Sequence, residues 1–188
     1  MATSSDGKAW SILPLNPAFK AASMGGVAAV AGGFVAVGTA ADLAPVIWTS
    51  SDGRAWMRVA ATGLSKSAGL RSVAAATSGL VAVGVDGSRA ASWTSKDGVA
   101  WLEGPDAPSL AGGSMLQVVS TSAGLVALGT VNGSGAAWAS TDGSTWTKLD
   151  PGPAFQGGQV TAAAGLQSRL VLFGKSAAGH LVEAIGTP

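Results

Sequence analysis

The sequence predicts an all-β fold, a four-bladed β-propeller with four-stranded antiparallel blades. Three observations carry this expectation. An eight-residue segment recurs four times at a near-constant step, each repeat divides into four short β-rich runs, and the two ends of the chain are partial repeats that complement each other.

The recurring segments are Thr3–Trp10, Thr49–Trp56, Thr94–Trp101 and Ala139–Trp146. Their aspartates are Asp6, Asp52, Asp97 and Asp142, so the steps are 46, 45 and 45 residues. A step of about 40–50 residues is the size of a propeller blade. A second element keeps the period: Gly33-Phe-Val-Ala-Val-Gly38 is answered at Gly79–Gly84, Gly124–Gly129 and Arg169–Gly174. A third is the tryptophan series Trp48, Trp93 and Trp138.

The second repeat shows the four strands well, at 70–76 (a), 80–85 (b), 90–94 (c) and 100–103 (d). Short β-rich runs bounded by Gly, Ser and Asp are strand signals. The Asp-Gly pair between c and d supplies the positive φ of a tight turn. No helix is expected, because apolar runs of about five residues are broken by Gly.

The amino terminus opens on a c–d turn and continues into a d strand at 9–13. The carboxy terminus supplies strands a, b and c at 159–164, 170–174 and 180–185, without a d strand. Pairing the two closes a ring and removes the sheet edges that invite aggregation. The domain reading is one propeller over residues 1–188. Its repeats are 14–59, 60–104, 105–149, and 150–188 completed by 1–13.

Composition narrows the function. Of 188 residues, 47% are hydrophobic and 11% charged, and the net charge is +1. That is not the composition of a disordered chain. Scattered charge without a basic face argues against nucleic-acid binding. With no cysteine there is no thiol nucleophile, disulfide or thiolate-bound zinc. The first residues lack the charged and apolar regions of a signal peptide. The apolar stretch 25–38 is shorter than the roughly 20 residues of a membrane helix. A soluble protein without a membrane span follows. No cofactor and no metal site are expected. A monomer is expected, and two chains sharing one eight-bladed ring stay open.

The Ser-x-Asp-Gly-x-x-Trp segment resembles the Asp-box, the bacterial neuraminidase repeat of sialidase-like propellers. The resemblance spans the chain as four units. The usual box reads Ser-x-Asp-x-Gly-x-Thr-Trp, one residue longer between Asp and Trp. The shorter form looks like repeats of secreted actinobacterial proteins. The resemblance implies a structural role, with Ser and Asp binding the turn backbone and Trp packing between strands. It assigns that role to Ser4, Asp6 and Trp10; to Ser50, Asp52 and Trp56; to Ser95, Asp97 and Trp101; and to Ser140, Asp142 and Trp146. It also suggests a secreted protein. Sialidase activity does not follow, since that chemistry uses an arginine triad and a tyrosine nucleophile, and this chain has no tyrosine.

Candidate ligand-binding residues lie where the repeats differ. Aligned inner strands place Met24, Leu70 and Met115 toward the channel, with Arg71, Gln117 and Gln159 nearby. The d–a loops each hold one apolar residue, Phe19, Leu64, Leu110 or Phe155, which either rings the channel mouth or anchors its own loop. The tryptophans either stack on sugars or pack the core. Glu183 stands at the Trp48 position of the last repeat. His180 and Glu183, three apart on a strand, face opposite ways and do not form a catalytic pair.

The reading is a binding or interaction module, with a glycan or an apolar small molecule at the loop face or channel mouth. The alternatives are an enzyme enclosing an apolar substrate in its channel, a cyclase or isomerase driven by shape, and a propeller fragment or engineered scaffold with no ligand. No catalytic residue is assigned.

Overall fold

Each repeat folds as a meander, because runs of apolar and small residues are separated by turns only a few residues long. The structure is a computed structural model and describes residues 2–150, 152–166 and 169–186. A hairpin of β1 (Ala2–Thr3) and β2 (Ser11–Ile12) comes first. The first full sheet holds β3 (Ala22–Val30), β4 (Gly33–Ala40), β5 (Pro45–Ser50) and β6 (Met57–Val59). The second holds β7 (Ala68–Ala76), β8 (Gly79–Asp86), β9 (Arg89–Ser95) and β10 (Leu102–Glu103). The third holds β11 (Gly113–Thr121), β12 (Gly124–Val131), β13 (Ser134–Ser140) and β14 (Thr147–Leu149). The last holds β15 (Gln159–Leu166), β16 (Arg169–Lys175) and β17 (Leu181–Gly186). All neighbouring strands are antiparallel. The helical content of the described residues is three single 3₁₀ turns, Pro17–Phe19, Pro108–Leu110 and Pro153–Phe155. Each is started by a proline, whose fixed φ suits a first helical position.

The inner strands pack in series, β3 on β7, β7 on β11 and β11 on β15. The apolar side chains of consecutive sheets interdigitate. Val35, Val37 and Ile47 of the first sheet meet Leu70, Val73 and Trp93 of the second. Val81, Val83 and Ala90 then meet Met115, Val118 and Trp138. Val126, Leu128 and Ala137 meet Val160, Ala163 and Leu172. Burying a Val or Leu side chain here contributes about 1.5–3 kcal/mol, and a Trp, with its larger area, more.

Polar bonds also cross these seams. The Gln117 amide donates to the Ala163 carbonyl (3.3 Å) and accepts from the Ala163 N–H (3.0 Å). The Val118 N–H donates to Ser72 Oγ (3.2 Å), and Ser120 Oγ donates to the Ala75 carbonyl.

Two expectations are corrected. The segment 9–13 does not complete the carboxy-terminal sheet. Its paired residues, Ser11 and Ile12, bond to Thr3 and Ala2, and among the described residues β17 has β16 as its one neighbour. A hairpin across the local Asp6-Gly7 turn closes a short loop and needs no other part of the fold. Register also moves the tryptophan series. Trp48, Trp93 and Trp138 pair with Ala36, Ala82 and Ala127, while in the last sheet Leu172 pairs with Ala184. Ala184, not Glu183, holds the tryptophan position. The small–large pair is exchanged for a large–small one, and Leu172 is buried there.

The four Ser-x-Asp-Gly-x-x-Trp turns share one network. Asp52 Oδ1 accepts from the N–H groups of Arg54 (2.8 Å) and Ala55 (2.9 Å). Ser50 Oγ accepts from Gly53 N–H (2.9 Å), and Trp56 Nε1 donates to the Gly53 carbonyl (3.0 Å). The same bonds recur around Ser4, Asp6 and Trp10, around Ser95, Asp97 and Trp101, and around Ser140, Asp142 and Trp146. The turn glycine at position 53 has φ +72°, a left-handed value that favours glycine. Backbone donors, Ala55 N–H first, hold the Asp52 carboxyl below its ordinary pKa. The Thr145 N–H does the same for Asp142, more strongly.

Because these carboxyls titrate lower in the folded chain than in the unfolded one, their contribution is complete above the ordinary carboxylate pKa near 4 and fades as pH falls through the folded values. Thermal unfolding followed by circular dichroism is therefore expected to show a Tm that holds from pH 7 to 5 and drops below 4. Ser140→Ala, which removes a buried acceptor, should cost about 1–2 kcal/mol. That corresponds to a Tm lower by roughly 2–8 °C.

Candidate functional site

A repeated register shift marks the inner strands. It falls between Met24 and Gly26, Leu70 and Ser72, Met115 and Gln117, and Val160 and Ala162. Each shift is a β-bulge, which inserts one residue and re-aims side chains. The inserted residues are Gly25, Arg71, Leu116 and Thr161, and all four are exposed. A Cβ on Gly25 would lie 2.6 Å from the Arg71 carbonyl, so glycine there permits the first two sheets to approach.

The bulge separates the sequence-predicted channel residues into two groups. Leu70 and Met115 are fully buried in the seams between sheets and do not line a channel. Met24, their counterpart on the first full sheet, is partly exposed because no inner strand among the described residues packs on that face. Gln117 is engaged with Ala163 across a seam. Arg71 and Gln159 are exposed. Arg71 is the one charged residue on β3, β7, β11 and β15, and its guanidinium has no hydrogen bond or ion pair among the described residues.

The loop residues are anchors. Leu110 and Phe155 are buried within the seams. Leu64 packs against the first seam. Phe19 lies against Trp48 and Trp56, at centroid distances of 5.5 and 6.0 Å. The loop carrying Phe19 is held by Trp48 Nε1 donating to the Ala18 carbonyl (2.7 Å) and by Arg58 donating to the Ala18 and Lys20 carbonyls. Trp138 Nε1 donates likewise to Ser109 (3.0 Å). The second sheet lacks the Pro-initiated turn, and Trp93 Nε1 is buried without a partner among the described residues.

Six tryptophans are buried, and Trp10 is 64% exposed. Sugar-stacking platforms are thus absent from the seams. His180 precedes β17, and Glu183 pairs with Phe173 on it. Among the described residues no three His, Asp or Glu side chains gather to hold a metal. No helix there is long and apolar enough to cross a membrane.

One constellation has no counterpart in the sequence-based expectations. On the loop face Arg89 bonds Glu103 (2.5 Å) and approaches Asp86 (3.6 Å) and Asp106 (3.8 Å). Hydrogen bonds from Ser67 and then Ser65, with the Arg89 charge, hold the Asp86 carboxyl below its ordinary pKa. Glu103 is one of only two glutamates in the chain. Its rarity was the available signal.

No family model matches this chain, and no curated protein does. Solved structures do. One is YCF48 bound to D1 peptide, at 16% identity and TM-score 0.57, covering 97% of this chain and 69% of that one. Another is a protein from Lactobacillus plantarum, at 13% identity and TM-score 0.52, covering 98% of this chain and 61% of that one. The fold is that of a β-propeller. The chain spans about two thirds of these neighbours' lengths.

Truncating Phe155, fully buried in the third seam, is expected to cost about 3–5 kcal/mol. Arg89→Ala leaves three carboxylates without their cation and should cost about 2 kcal/mol, less than a fully buried pair because the group is partly exposed. Urea titrations of both variants measure this.

Proposed function

We propose that this chain is a binding module that takes an apolar ligand bearing a carboxylate at the axial end of its inner strands. The Arg71 guanidinium, without a partner among the described residues and set on a bulge whose counterparts on the next two inner strands carry exposed Leu116 and Thr161, carries the reading. A free guanidinium offers a planar fork of donors that fits a carboxylate, and charge-assisted bonds of this kind are the strong ones. Leu116 supplies apolar contact, and Thr161 and Gln159 supply polar groups. A rigid scaffold presenting a few polar groups among apolar ones is the usual form of a binding site. A peptide chain end combines these features, and YCF48, whose fold is similar, was solved bound to a peptide. The glycan form of the reading is weakened by the burial of six tryptophans.

The test is fluorescence anisotropy with labelled apolar peptides that end in a free carboxylate or in an amide. The free acids are expected to bind, with Arg71→Ala weakening them at least tenfold, about 1.4 kcal/mol. Equal binding of acids and amides, or full binding by Arg71→Ala, would remove the basis for this site.

A further inference from the structure

We infer that copies of this chain associate head to tail, the outer face of the β15–β17 sheet of one copy seating on the outer face of the β3–β6 sheet of the next. Equivalent positions in successive repeats show what each outer face lacks. Leu70, Met115 and Val160 occupy one position on successive inner strands and are buried by the sheet before them. Met24 holds that position on β3 and is 36% exposed. Val73, Val118 and Ala163 are likewise buried, while their counterpart Val27 is 51% exposed. On the opposite face, Val37, Val83 and Leu128 are buried by the sheet after them, and their counterpart Phe173 is 45% exposed. The outer faces of the first and last full sheets therefore carry the two unmatched halves of an interface that the described sheets build three times between them. Each half has its complement on the same chain.

Local detail supports a second copy as the occupant. A cleft of about 350 Å³ lies on the first sheet's free face, lined by Leu13, Pro14, Phe19, Ala22, Met24 and Arg54 among others. Phe155 and Leu110, the counterparts of Phe19, pack against Leu128, Ala137 and Val83 of the preceding sheet. The partner's Phe173 holds the Leu128 position and would fill the cleft. The partner's Glu183, at the Ala137 position, would bring a carboxylate toward Arg54, the one charged residue lining it.

Register gives β2 a role. Ser11 and Ile12 pair with Thr3 and Ala2 as Met57 and Arg58 pair with Thr49 and Trp48. The last sheet's Ile185 and Ala184 hold the Thr49 and Trp48 positions. In the assembly the partner's β17 takes the place of β1 beside β2, Ser11 exchanging its Thr3 partner for Ile185, and β2 supplies the fourth strand that sheet lacks. A heterologous contact of this kind closes a ring if its rotation permits and otherwise continues as a filament. Two copies bring eight sheets of three or four strands, the upper end of the propeller range of about four to eight blades.

The chain has no cysteine, so single cysteines can be placed at will. Met24→Cys and Phe173→Cys chains, treated with a short bis-maleimide, are expected to cross-link at least tenfold more when mixed than either does alone. Light scattering on the unaltered chain should show dimers or larger species that grow with concentration from the micromolar range upward. Phe173→Asp and Val27→Asp should be monomeric with unchanged circular dichroism, because both sites are exposed in the single chain. A chain that is monomeric at every concentration overturns the proposal. So do cross-links that form equally within each single variant, or a Phe173→Asp chain that still associates.

Discussion

A single sheet of this chain cannot bury its own side chains, and everything else follows from that. The four larger sheets are three or four strands wide and rich in Val, Leu and Ala, with Trp in the first three. Such a sheet is stable only when packed against a neighbouring sheet. The seam Val37–Leu70, repeated as Val83–Met115 and Leu128–Val160, is therefore the unit that holds the fold. As in other repeat architectures, stability resides in neighbour-to-neighbour contacts. It also explains why exposure of large apolar groups, Met24, Val27 and Phe173, gathers at the two ends of the series.

The polar scaffold serves the same seam. The Ser-x-Asp-Gly-x-x-Trp turn lets a c strand reverse into a d strand within a few residues while its tryptophan returns to the sheet. Trp56, Trp101 and Trp146 are buried by this means, whereas Trp10, with the same hydrogen bonds, is exposed. The turn thus forms by local bonding, and the burial of its tryptophan needs the adjoining sheets. The inner strands show a second division of labour. Leu70, Met115 and Val160, each just before its bulge, enter the seams, and the inserted residues are left exposed. Arg71 is exposed because the bulge keeps it out of the packed interface.

Much of the fold was legible in the residues. The step between Asp6, Asp52, Asp97 and Asp142 predicts the repeat, and the Gly-flanked Val-rich runs predict β4, β8, β12 and β16. The site was less legible. Met24, Leu70 and Met115 read as channel-lining because they align on the innermost strands, and alignment does not say which face of a strand a side chain takes. A bulge breaks alternation, and nothing in Leu70-Arg71-Ser72 announces it. Phe19, Leu64, Leu110 and Phe155 allowed two readings from sequence, and their packing selects the loop anchor. Glu183 was assigned one residue away from its register, an error that reverses which face of a strand a side chain takes.

By itself the sequence determined the local grammar: four meanders, four hydrogen-bonded turns, and an apolar pattern fit for seams. These depend on contacts within a few tens of residues. Tertiary structure decided the rest. It chose which side chains lie in a seam and which are left over, and it paired Leu172 with Ala184 where other sheets pair Ala with Trp. It also closed β2 onto β1 instead of β17. Those outcomes depend on distant sheets meeting at a given angle, and on loop entropy weighed against burial, which no spacing of residues records.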